Sequence, residues 1–183
     1  MSMTFELGKL VIGAILLSAL VVFLSKTAAL FPFYMTIVVE TFNVANIAAA
    51  DNYVKQPLYD ASLQGLRDRP IFNQRDPSLV TIQVLTSDGR NAVGNADEYA
   101  YQSVSPANKP YRQRGETIQV RISAVYPFEF TMWGRPVGFD VPVSFSITTT
   151  GLKYYKDLPL ANPYTDGAIG DIHYFDYLLD EPW

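Results

Sequence analysis

The chain has 183 residues, a net charge of -4 and no cysteine, which removes disulfides, thiolate metal sites and cysteine nucleophiles together. The acidic balance gives no basis for binding nucleic acid, and the single histidine, His173, rules out a multi-histidine metal site. With about 40 residues set aside for an apolar helix, the rest suffices for one modest domain that buries its own core.

That helix is the first element. Leu10 to Val39 reads LVIGAILLSALVVFLSKTAALFPFYMTIVV, with Lys26 as its one charge. A hydrocarbon core of about 30 Å needs about 20 apolar residues, so this run is long enough to cross one. A signal peptide has an apolar core of only about 7 to 15 residues behind a basic start; here the run is longer, and Glu6 and Lys9 cancel in front of it. A charge near a membrane-helix centre costs about 2.5 to 3.5 kcal/mol on insertion scales, so Lys26 must snorkel, meet water or find a carboxylate. Ala14, Ser18, Ser25 and Ala29 fall within about 60° of one another on the helical wheel, a small-residue stripe where another helix can approach closely. The plainer alternative is a single-pass anchor in which these residues have no such role.

Glu40 to Leu66 continues as an amphipathic helix, with Phe42, Ala45, Ala49, Tyr53 and Gln56 at three-and-four spacing. The expectation is one long helix over 1–66, kinked near Pro32, broken or restarted at Pro57, and ended by Gly65 and Pro70.

From Leu79 the period changes to two. Val80, Ile82 and Val84 alternate with polar residues, and Ser87-Asp88-Gly89 makes a turn. A loop from Asn91 to about Arg114 precedes the clearest strand, ETIQVRISAVYPFEF, with Ile118, Val120, Ile122 and Ala124 on one face. After a turn at Trp133 to Pro136, Val141, Val143, Phe145 and Ile147 alternate in FDVPVSFSITTT, where Pro142 points to an edge strand or a bulge. The fold class expected is α+β: a long N-terminal apolar helix, then a small antiparallel β domain over 71–183 packed on the amphipathic half of the helix. The last stretch interleaves Asp166, Asp171, Asp176, Asp180 and Glu181 with Tyr164, Tyr174, Phe175, Tyr177 and Trp183, and so many rings are expected to dock on a surface.

Candidates for chemistry are few. Asp166 and Asp171 flank a glycine-bearing loop, and Asp76, Asp97 and Glu98 lie in others, but none has the ordered oxygen ladder of a calcium loop. His173 has no nucleophile motif beside it, and Arg112 and Arg114 read as a short solvated charge run. No catalytic residue, metal or cofactor is expected, and the chain is read as a non-enzyme.

The membrane helix, its amphipathic extension and the strands VRISAVYPFEF and VPVSFSITTTG together resemble type IV pilins, and most closely the tight-adherence pseudopilin-like (TadE-like) group, over Phe5 to about Lys156. Pilins of this kind carry a glutamate at the fifth mature position, which Glu6 occupies if Ser2 is the first residue. No basic leader ending in glycine stands before the helix, so the resemblance leaves two alternatives: a leader already trimmed, or a chain outside prepilin processing. The resemblance implies a structural subunit of an extracellular cell-surface filament, a helical homopolymer of the chain itself. It would be held in the inner membrane before assembly and handled by secretion and assembly machinery. The assembly residues expected are Glu6, Ala14, Ser18, Ser25, Lys26, Ala29 and Glu40, with Lys26 of one subunit meeting Glu6 or Glu40 of another. The alternative is a membrane-anchored binding or scaffolding module, or a minor pseudopilin, of an envelope complex.

Overall fold

In the computed structural model, residues 3–72, 76–132 and 135–159 are described. The first element, α1 (Met3–Asp51), is one helix that runs through Pro32 without interruption in its assignment. Proline at this position withdraws the N–H that would serve the carbonyl four residues earlier. Thr36 Oγ1 donates to the Pro32 carbonyl at 2.8 Å in the same turn.

The second half of α1 turns a stripe of Phe33, Ile37, Thr41, Val44, Ala45 and Ala48 inward, all buried. The three-and-four spacing gives that stripe, and the Thr41 hydroxyl is satisfied by the Ile37 carbonyl at 2.7 Å. Of the expected stripe, Ala45, Ala49 and Tyr53 are buried, Tyr53 lying beyond the helix end, while Phe42 and Gln56 face solvent. The sheet decides this. It covers the side of α1 that carries Ile37 and Val44, leaving Phe42 at its margin against Phe145, with ring centroids 6.0 Å apart.

The single helix expected over 1–66 is two helices. The chain leaves α1 at Asn52, which adopts φ 59°, a left-handed conformation that asparagine tolerates better than most residues. Two extended residues follow, β1 (Val54–Lys55), paired in parallel with β3 (Val93–Gly94). Pro57 then sits in the first turn of α2 (Gln56–Arg67), where its missing N–H costs no hydrogen bond. The restart at Pro57 was legible; the earlier break at Asn52 was not.

Three strands make the main sheet: β2 (Thr81–Thr86), β4 (Thr117–Met132) and β5 (Arg135–Thr150), antiparallel in the order β2-β4-β5. Register places Ile82 opposite Ile122, Val84 opposite Val120, and Phe145 opposite Ile122 on the other side. Ile82, Val84, Ile118, Val120, Ile122 and Ala124 are buried against Phe33, Ile37, Val44 and Ala48 of α1. At about 1.5 to 3 kcal/mol per large buried apolar side chain, this contact is the main source of the domain's cohesion. β5 is the edge strand expected from Pro142. β2 pairs only as far as Ser123, so the β4–β5 hairpin continues beyond it as a two-stranded ribbon along α1.

A second, polar core closes the far end of α1. Tyr53, Tyr111, Tyr155 and Leu158 cluster there, with the Tyr111 and Tyr155 rings stacked at 4.1 Å. Tyr155 donates its hydroxyl to the Asp51 carbonyl at 2.6 Å. Gln113 holds the segment after β5 by donating to the Tyr155 and Leu158 carbonyls at 2.8 and 3.1 Å. Burial, then the charges of Asp51 and Glu98, push the Tyr53 phenol up to about 12. Arg112, read from sequence as part of a solvated run, is buried here instead. It donates to the Lys109 carbonyl at 2.6 Å and pairs with Asp88 at 3.1 Å.

Asp88 sits in the turn after β2, where Gly89 takes φ 79°. The hydrogen bond from Thr86 lowers the Asp88 carboxyl below its ordinary value; desolvation opposes this, and Arg112 adds to the lowering. A depressed folded value means stability that is present above the unfolded pKa, about 3.9, and lost as pH falls through the folded value. Asp88→Asn is therefore expected to lower stability at pH 7 and to flatten its decline below about pH 4. Denaturant midpoints at pH 7, 5 and 3 check this, and an unchanged acid slope would remove Asp88 from the response.

Candidate membrane and assembly surface

The side chains from Leu7 to Ser25 are exposed without exception, although most are apolar. Among the described residues, the first ring contact on this stretch comes at Phe23, against Phe128. This half of α1 is long and apolar enough to cross a membrane by length and composition. The helix is thus divided: its second half packs one side against its own sheet, and its first half is bare up to the hairpin contact at Phe23.

The expected small-residue stripe lies on this bare half, with Ala29 just beyond it. Ala14, Ser18, Ser25 and Ala29 are all exposed. Ser18 and Ser25 donate their hydroxyls to the Ala14 and Val21 carbonyls, each at 2.8 Å, and Thr27 does the same to Phe23 at 2.9 Å. Their hydrogen-bonding needs are met within the helix, so the stripe offers a low surface with no unsatisfied donor toward lipid or another helix.

Lys26 marks the border between the two halves. It is partly covered, and its own carbonyl accepts the Tyr126 hydroxyl at 3.0 Å. Among the described residues, no carboxylate forms an ion pair with its ammonium group. Glu40 already has a partner within the chain, Arg69, at 3.6 Å. Glu6 lies in the first turn of α1, and its side chain falls outside the described residues. Of the two carboxylates expected to serve Lys26 across subunits, Glu40 is the one already engaged.

The hairpin meets α1 at this border through rings. Phe33 packs against Tyr126 at 5.1 Å and Phe72 at 4.5 Å. Phe23 packs against Phe128 at 5.5 Å, and Phe128 in turn stacks on Phe139 at 5.1 Å. Sequence reasoning missed the role of this ribbon. The alternation through Phe128 and Phe130 was a usable signal, but nothing local shows that the strands outrun β2 and lie along the helix.

The acidic loop residues serve local ends. Asp76 and Asp97 accept the backbone N–H groups of Ser78 and Tyr99, each at 2.8 Å, capping short 3-10 turns, and Glu98 pairs with Lys153 at 2.6 Å. Among the described residues, no group of three or more metal-ligating side chains comes together. Asp166, Asp171, His173 and the aromatic tail lie outside the described residues.

The fold and this surface together define an α+β protein with a long apolar N-terminal helix able to anchor in a membrane. Comparison of the chain with protein-family models, curated proteins and solved structures returns no match.

Proposed function

We propose that the chain is a structural subunit that polymerises through the bare half of α1 into a cell-surface filament, with the sheet domain displayed on the outside. The observation that carries this reading is the exposed apolar surface of α1, which extends beyond the bare half. Phe31, Met35 and Val39 remain exposed above Lys26, Phe31 at 68%. A bilayer needs about 20 apolar residues, and this surface persists over about 30. Lipid alone covers only part of it; the remainder calls for a protein neighbour. The stripe of Ala14, Ser18, Ser25 and Ala29 gives such a neighbour a place to pack closely, since association inside a bilayer relies on close packing rather than on hydrophobicity.

The test is negative-stain electron microscopy of material sheared from producing cells, with mass spectrometry of the subunit N-terminus. Filaments composed of the chain are expected. A monomer confined to the membrane fraction and dispersed by detergent would overturn the reading in favour of an anchored module. In the filament, Lys26 is assigned a carboxylate on a neighbouring subunit, with Glu6 the candidate. Removing one member of a buried pair typically costs about 3 to 5 kcal/mol, so Lys26→Ala is expected to abolish or alter assembly. Normal filaments from that variant would discard the pairing.

A further inference from the structure

We infer that the distal end of the β4–β5 hairpin is a membrane-seating element, resting in the lipid headgroup layer beside α1 when the subunit is in the bilayer. The inference goes beyond filament assembly and rests only on α1 spanning a membrane.

Lys9 bounds the apolar run on one side, and the hairpin reaches α1 at Phe23 on the other. Between them, Leu10 to Val22 supplies about 13 residues of bare helix, or about 20 Å. The hydrocarbon core is about 30 Å thick. The bilayer therefore covers more than the bare segment, and a span of about 20 residues from Leu10 ends near Ala29. Its last turns are those in contact with Tyr126 and Phe128. A bilayer on α1 thus meets the hairpin.

The hairpin is patterned for such contact. Beyond Tyr126, Phe128, Phe130, Val137 and Phe139 share one face, because register sets Phe128 opposite Phe139 and Phe130 opposite Val137. That face is toward α1, yet Val137 and Phe139 overhang the helix and are 46% and 58% exposed. Glu129, Thr131 and Asp140 fall on the opposite face by alternation. Arg135 is exposed at the end of the ribbon, where its long side chain can snorkel to phosphate.

Depth is limited from the other side. Among the described residues, this ribbon has two unpaired strand edges beyond β2, and hydrocarbon cannot satisfy their N–H and C=O groups. The seat is accordingly the headgroup layer, and the short bare span is accommodated by local thinning of the bilayer and snorkelling of flanking residues. Gly138 keeps the two strands close: a Cβ there would strike the Phe128 carbonyl.

The absence of cysteine makes a direct test available. Single cysteines at Ile15, Phe139 and Thr148 carry a fluorophore in the full chain, one copy per lipid nanodisc, with nitroxide-bearing phospholipids as quenchers. Thr148 is exposed on the same strand about 30 Å from Phe139. The expected result is strong quenching at Ile15 by nitroxides deep in the acyl chains, and quenching at Phe139 by headgroup nitroxides severalfold above that at Thr148. Val137→Cys repeats the measurement in case the label at Phe139 disturbs its stacking on Phe128. Quenching at Ile15, with Phe139 and Val137 no different from Thr148, would overturn the seating element alone. An unquenched Ile15 would overturn the membrane span and the seating element with it. Neither result depends on whether filaments form.

Discussion

Phe33→Ala is expected to destabilise the protein by about 3 to 5 kcal/mol, the range for deleting a fully buried ring. Phe33 is fully buried and touches Phe72 on one side and Tyr126 on the other. It therefore joins three separate pieces of chain: α1, the segment after α2, and the hairpin. Few neighbours can collapse into the space, because β4 is fixed by its pairing with β5 and α1 is a continuous helix. Equilibrium denaturation of detergent-solubilised protein gives the number, and Phe33→Leu should recover a large part of it. A loss below about 1 kcal/mol would show that the hairpin is held to α1 by other contacts. The variant also bears on function: once the ribbon is free of α1, its depth in the membrane is no longer set by Phe23 and Lys26.

Asn52→Ala is the second large effect expected. The Asn52 side chain donates to the Arg112 and Lys153 carbonyls at 2.8 and 2.6 Å and accepts from the Lys153 N–H at 2.8 Å. It is fully buried, so alanine leaves backbone groups without partners in the interior. Each such bond contributes about 0.5 to 1.5 kcal/mol net, and alanine at positive φ adds about 1 to 2 kcal/mol. A total of about 2.5 to 6.5 kcal/mol follows from those two sources together. Asn52→Gly separates them, since glycine accepts the backbone conformation but still lacks the three bonds. Equal losses from the two variants would show that the side-chain bonds carry the whole effect. Gly151 belongs to the same arrangement: a Cβ there would lie 2.6 Å from the Asn52 Cγ, so Gly151→Ala is expected to push Asn52 off its partners.

These two residues show where local pattern stops being informative. Asn52 stands in a helical run with nothing beside it to mark a break, and Ala49 and Tyr53 continue the three-and-four spacing. The break becomes favourable because Arg112 and Lys153, 60 and 101 residues further on, receive the side chain. Arg112 was misread for the same reason. A short basic run in a polar loop is ordinarily solvated, and only the approach of Asp88 and of the Lys109 carbonyl makes a buried guanidinium tolerable. By contrast, the strands around Val80, Ile118 and Phe145 were readable residue by residue, since a period of two with one covered face is a local property.

Sequence alone determined the apolar helix, its single internal lysine, its small-residue stripe, the α+β class, and which face of each strand turns inward. All of these follow from residue spacing and from the cost of placing polar groups in an apolar environment. Tertiary structure alone decided that the helix ends at Asn52, that Glu40 is committed to Arg69, and that a ribbon of β4 and β5 runs along α1 to Phe23. Each of these depends on contacts between residues far apart in the chain, whose free energy outweighs local propensity and leaves no periodic trace.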